Sequence, residues 1–461
     1  MPIRWDRISA GVACVAAAIA WLRSGASLIY GVALLSALGF AIIVAPNLLA
    51  RLANELSRSG VGQAWRVRRA ASAVRDSDAL VDWLDSSSDH PQQLRVAMAL
   101  YQKALALERQ GRLDDAIAAY EEVVSRLNGR TDSPALKWAA LSLEREAVLL
   151  AKAGHSAEAF GVWDRAVVLC EGQVDPALMV PFAHVLLGRA NEWYRTGRFD
   201  NALRGYEDII GRFAAPVAGA LRETVASALV HKGSTLVAQG RLEDAIEAFA
   251  DAVEFTEGSG APELRELNSH ALLNRATALQ ELGRDKEAHL AYAALIDRYR
   301  SSRSPLIRQY LAHAFVNDGR TAIVYGDWHQ AVKSYSHALR LARQSDEPRM
   351  VNVAAMARVN RAVVLGDSGR PGEALADLGW VIGRHRNTDV SALRETVARA
   401  LVERGLLLGR LGRNRDARND LRDVIRRFSG APEREIARQV TRARETLGAV
   451  SAPGRPRIRI E

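Results

Sequence analysis

The chain has 461 residues, more than one compact core ordinarily needs, so several domains or a repeat array are expected. With 48% hydrophobic and 25% charged residues it is neither a disordered chain nor a polytopic membrane protein, and two cysteines far apart, Cys14 and Cys170, exclude a disulfide framework and a cysteine metal site. The net charge of +9, from 62 Lys+Arg against 53 Asp+Glu, admits nucleic acid, anionic lipid or an acidic protein as a partner.

At the N-terminus, Ile8 to Leu22 is an uncharged run of 15 residues between Arg7 and Arg23, and Ser24 to Ala50 is another of 27. The second run, as a helix, is about 40 Å long, enough to cross a hydrocarbon core of about 30 Å with tilt. The first is short, and snorkelling of Arg7 and Arg23 with Trp5 and Trp21 at the interfaces would close the gap. The segment 1–50 therefore reads as a transmembrane hairpin. A cleaved signal peptide ending near Ala18-Ile19-Ala20 is the competing reading. Residues 51–75 hold six arginines, from Arg51 to Arg75, and one acid, Glu55. This places both ends of the hairpin on the cytoplasmic side of the inner membrane and sets a basic stretch against anionic lipid. Residues 51–90 read as a juxtamembrane segment and linker.

From 91 to 450 the chain repeats. Gly111, Gly154, Gly197, Gly240, Gly283, Gly326, Gly369 and Gly412 are each 43 residues apart, and six of the eight are followed by arginine. Five residues after each glycine stands alanine, and four further on a bulky residue such as Tyr120, Trp163, Phe249 or Leu421. Such self-similarity marks a solenoid. Ahead of each glycine, stripes such as Leu229, Gly233, Leu236 or Leu272, Ala276, Leu279 predict one amphipathic helix. The glycine ends it, and a second stripe, Ala245, Phe249, Ala252 or Ala288, Tyr292, Leu295, predicts another. Small residues at Gly233 and Ala245 allow close approach, with the aromatic filling the gap between neighbouring units. Proline opens the next unit in seven of eight links (Pro134, Pro176, Pro216, Pro262, Pro305, Pro348, Pro432). The arginines after the glycines are expected to complement the carbonyl ends of the first helices. Arg434 to Val450 reads as a capping helix, and 451–461, with Arg455, Arg457 and Arg459, as a disordered basic tail.

This order of small residue, glycine, alanine and aromatic resembles the tetratricopeptide repeat, in the bacterial form with 43-residue units and an N-terminal membrane anchor. HEAT and armadillo units have similar lengths but not this spacing. The resemblance implies an all-α fold, an α-α superhelix of about eight helical hairpins plus a cap. It also implies a concave groove lined by the first helices that holds peptide segments. Two residues before the small residue the column runs Gln102, Arg145, Gly188, His231, Asn274, Asn317, Asn360, Glu403, about 200° from the buried stripe. An amide offers a donor pair and an acceptor, the complement of an extended main chain. By the resemblance, Asn274, Asn317 and Asn360 are the peptide-binding candidates, continued by His231. His270 and His313, four residues earlier in their helices, join them with Arg145 and Asn191; His184 shares the histidine column. Adjacent rungs are about 10 Å apart, too far to share a metal ion.

No phosphate loop, nucleophile elbow or paired-histidine zinc motif occurs. No cofactor, no metal and no enzymatic activity are expected. The reading is a membrane-anchored scaffold for a protein or peptide partner. The alternatives are a nucleic-acid-binding repeat protein, disfavoured because acids are frequent and aromatics sit at packing positions, and a regulatory subunit of an enzyme complex.

Overall fold

The computed structural model describes residues 90–451, apart from 174, 215–218 and 344. The membrane hairpin, the basic segment 51–75 and the tail 452–461 lie outside the described residues. Among the described residues there are 17 helices and no strand, and no helix is long and apolar enough to cross a membrane. The helices are α1 (His90–Arg109), α2 (Leu113–Arg126), α3 (Ser133–Ala153), α4 (Ser156–Cys170), α5 (Pro176–Arg195) and α6 (Phe199–Phe213). Then come α7 (Ala220–Ala238), α8 (Leu242–Thr256), α9 (Pro262–Glu281), α10 (Asp285–Tyr299), α11 (Pro305–Val324) and α12 (Trp328–Ala342). The last are α13 (Pro348–Asp367), α14 (Pro371–His385), α15 (Ser391–Arg410), α16 (Asn414–Phe428) and α17 (Arg434–Ser451).

Each hairpin begins and turns by the same local chemistry. Pro262, Pro305 and Pro348 open α9, α11 and α13, where the missing N–H costs nothing. Ser304 caps α11 by accepting from the Ile307 N–H at 3.3 Å, and Asp327 caps α12 from Gln330 at 2.8 Å. At the turn, Gly240 takes φ +75°, the left-handed region closed to most side chains. Its N–H reaches Val237 O and that of Arg241 reaches Leu236 O, both at 2.9 Å, so backbone donors satisfy the end of α7. The arginine side chains do something else. Arg112, Arg241, Arg284, Arg370 and Arg413 pair with Asp115, Asp244, Glu287, Glu373 and Asp416 three residues on, in the first turn of the second helix. Their expected role at the carbonyl ends is thus corrected: backbone N–H groups already fill it.

The chain forms two compact units, divided between Leu178 and Met179. In the first, α1 to α4 bury Tyr120 and Trp163, and Tyr101 meets Tyr120 and Trp138 edge-on at 5.5 and 5.1 Å. In the second, the buried stripes are those read from the sequence: Leu272, Ala276 and Leu279 on α9 face Ala288, Tyr292 and Leu295 on α10. The aromatic fills a gap inside its own hairpin, against the small residue sixteen positions earlier. A Cβ on Gly233 would lie 2.6 Å from the Phe249 ring, one on Gly319 2.7 Å from Tyr335, and one on Gly405 2.9 Å from Leu421.

From α7 to α17 each first helix touches the next first helix, through the pairs α7–α9, α9–α11, α11–α13, α13–α15 and α15–α17. Among the described residues the backbones of no two second helices from α8 to α16 come into close approach. The second-helix face is therefore split by clefts. At the C-terminal end α17 packs on α15 and α16, and Arg442 bonds Glu403 at 2.6 Å.

Valine in place of Gly233 is expected to cost about 1–3 kcal/mol by overpacking against Phe249. Gly379→Ala, whose added Cβ meets nothing within 4 Å in mid-helix, should raise stability by up to about 1 kcal/mol. Denaturant unfolding of the two variants checks both signs.

Candidate functional site

The polar columns come together on the first-helix face of the second unit. His270 and Leu273 of α9, Gln309, Tyr310 and His313 of α11, and Arg349 and Asn352 of α13 line a cleft of about 330 Å³. The His270 ring lies flat on Tyr310, 4.9 Å between centroids with 2° between planes. Burial, then the charges of His231 and Arg349, push the His270 pKa down to about 4, and burial lowers those of His231, His313 and His184. The histidine column is therefore neutral at neutral pH, and Arg349 is the fixed charge of the cleft. Among the described residues no three metal-ligating side chains gather.

Asn274 and Asn317 are half-buried in neighbouring rungs. The Asn274 amide has no internal partner among the described residues, while Asn317 lies within reach of the Tyr292 hydroxyl. His231 extends the column and stacks on Tyr206 at 5.9 Å. The column then leaves the surface: Asn360 is 5% exposed and Glu403, one rung further, 9%. Asn360 is thus corrected from a groove residue to a buried one. Arg145, in the first unit, is half-buried and pairs with Glu108 at 2.6 Å. The Asn191 side-chain oxygen accepts the Tyr206 hydroxyl at 2.8 Å, which ties α5 to α6.

The sequence reading missed Gln309 and Asn352. They stand 43 residues apart, eight before Asn317 and Asn360, so each lies two turns back along the same helical stripe. The signal was their shared register. Asn352 lines the cleft, and its side-chain oxygen is buried without a hydrogen-bond partner while its amide nitrogen reaches the Met356 sulfur at 3.7 Å. A buried amide oxygen without a partner is costly, and turning the amide toward the cleft would relieve it.

Other buried polar groups are structural. The Asn268 amide donates to Val253 O and Thr256 Oγ1 and its oxygen accepts from Tyr299, locking α8, α9 and α10 together. Within the later hairpins one register carries a polar lock: the Ser334 hydroxyl donates to Asp318 at 2.7 Å, and in the next two hairpins it becomes an ion pair, Arg361 with Asp377 and Arg404 with Asp420, both at 2.7 Å.

Two family models, each described as a tetratricopeptide repeat, match the chain, one over residues 65–131 and 187–262 and the other over 270–302. No curated protein matches it in sequence. Among solved structures, the apo form of RapI is 13% identical and has a TM-score of 0.53, with 77% of this chain and 99% of that one covered. The apo form of the quorum sensor NprR from B. thuringiensis is 15% identical over 78% of this chain and 96% of its own, with a TM-score of 0.43. At these identities the likeness is one of fold, an array of helical hairpins. The segments 65–131, 187–262 and 270–302 are thus similar to tetratricopeptide repeats.

Stability should respond to His270 with a definite sign. Between its ordinary value near 6.5 and about 4, the unfolded chain takes up a proton that the fold refuses. Acidification through that window therefore weakens the fold, with no effect above it and a constant penalty below it. Denaturation midpoints measured from pH 7.5 to 4 should fall less steeply for His270→Gln than for the parent.

Proposed function

We propose that this chain is a membrane-anchored scaffold that holds an extended segment of a partner protein on the first-helix face of its second unit, beside α9, α11 and α13. The Asn352 amide carries the reading: its oxygen has no internal partner, and a peptide N–H satisfies it once the side chain turns into the cleft it lines. Asn274 offers a free amide two rungs away, and Tyr310 with the His270 ring gives a flat apolar wall for a side chain. The neutral histidines leave Arg349 to select against cationic segments. The repeats recognised at 187–262 and 270–302 support a protein partner over nucleic acid. So does the scarcity of exposed aromatics on this face for stacking bases. The apolar runs before Ala50 and the arginines from Arg51 to Arg75 support an anchor in the inner membrane beside anionic lipid, with the repeats in the cytoplasm. Repeats of 43 residues, longer than the common tetratricopeptide unit, fit helices of 20 and 15 residues alternating from α9 to α16.

Peptides selected from a random displayed library on the full-length chain test the groove. Each hydrogen bond removed is worth about 1 kcal/mol, so Asn352→Ala with Asn274→Ala should weaken selected peptides by roughly tenfold or more without moving the unfolding midpoint. Equal affinity for the double variant would overturn the assignment. The anchor is read separately: the full-length chain should stay with membranes through alkaline carbonate extraction, while a chain begun at residue 51 should be released.

A further inference from the structure

The clefts on the second-helix face are successive copies of one site, and one of them differs in a way that names a ligand. The cleft between α10 and α12, about 710 Å³, is floored by Leu311, Phe315 and Asp318 of α11 and walled by Asp297, Arg300, His337 and Leu341. Exactly the same register, 43 residues later, walls the cleft of about 640 Å³ between α12 and α14. There Asp297 is replaced by Arg340, Phe315 by Arg358, Asp318 by Arg361 and Leu341 by Arg384, while Arg300 is matched by Arg343. A mixed site has become one lined by five arginines, with Asp346 its one lining carboxylate.

Two of the five are held from within by one carboxylate. Arg358 and Arg361 share the buried Asp377 at 2.7–2.8 Å. Arg340, Arg343 and Arg384 are exposed, and among the described residues none of them has a carboxylate partner. The next rung shows what this register does when a carboxylate is supplied. Arg386 and Arg427 occupy the places of Arg343 and Arg384, and Asp423 occupies that of Trp380. Asp423 is buried, accepts from Arg386 at 2.7 Å and Arg427 at 2.9 Å, and so fills the site from inside. In the α12–α14 cleft the same place holds Trp380, 37% exposed, with the Arg358 guanidinium 4.2 Å and that of Arg384 5.8 Å from its ring centre. The indole fixes the guanidinium planes but gives them no anion.

We propose that the α12–α14 cleft binds an acidic segment of a partner protein, whose side-chain carboxylates supply from outside the negative charge that Asp423 supplies from within one rung later. Arg340, Arg343 and Arg384 receive the carboxylates, and Trp380 carries the intervening apolar atoms. The cleft is open to solvent along its length and its walls are charged. It therefore suits a chain laid across it better than a small organic molecule, which needs apolar enclosure. This site lies on the second-helix face and is independent of the first-helix groove.

The probe is a fluorescent octaglutamate peptide, followed by anisotropy with the full-length chain. Binding is expected at moderate salt and should weaken as salt rises. Arg343→Glu with Arg384→Glu reverses two exposed charges and should reduce affinity at least about tenfold with the unfolding midpoint unchanged. Asn274→Ala with Asn352→Ala should leave octaglutamate binding intact, which keeps this result separate from the fate of the groove. Three outcomes would overturn the proposal. One is an affinity unmoved by the charge reversal, which places the peptide on other basic residues. Another is displacement by inorganic phosphate well beyond the effect of chloride at equal ionic strength, which makes the cleft a small-anion site. The third is tighter, Arg384-dependent binding of oligothymidylate, which makes it a nucleic-acid surface.

Discussion

The close approach of two helices inside each hairpin is the constraint on which the array rests. At Gly233, Gly319 and Gly405 the first helix presents no side chain at all, and Phe249, Tyr335 or Leu421 of the second helix occupies the space. That contact sets the distance between the helices. The left-handed glycine at the turn sets the angle at which the second leaves. Because both recur at one interval, the backbone is the same from rung to rung, and each exposed register becomes a position at which side chains are exchanged on a constant frame.

Variation on that frame is where specific chemistry appears. The hydrogen bond of Ser334 to Asp318 in one hairpin becomes an ion pair, Arg361 with Asp377 in the next and Arg404 with Asp420 in the last. Such pairs give little net stability, since burying the charges offsets much of their attraction, but each tolerates only its own partner. Turn arginines and the acids three residues on are exposed and mainly trim the hairpin ends. The larger departures from the common pattern, the orphan acceptor of Asn352 on one face and the arginines around Trp380 on the other, lie within α13 and α14 and their immediate neighbours.

Much of this was legible in the sequence. The period fixed the glycine turns, the proline openings and the buried stripes, because each rests on a backbone or volume requirement that few residue types meet. Side-chain partnership was not legible. Asn317 and Asn360 occupy one register, yet one is half-exposed and the other buried, since exposure depends on what the next rung places across from it. Arg145 shares the register of the asparagines, but its partner Glu108 stands 37 positions earlier, a pairing the period does not reveal. The turn arginines looked like helix caps because the sequence does not reveal that two backbone N–H groups already serve those carbonyls. Asn352 and Gln309 escaped notice because two residues make a weaker pattern than three.

The burial of Asn360 and the pairing of Glu403 with Arg442 under the final helix give the groove a length. Its open amide column runs from His231 through Asn274 to Asn317, two steps of about 10 Å between neighbouring helices. An extended strand advances about 3.3 Å per residue, so roughly six residues span that column. The cleft at Asn352 on α13 adds one further step of about 10 Å, so under the proposed reading the array would act as a ruler for a motif of roughly nine residues, leaving the rest of a bound chain free beyond the mouth of the groove.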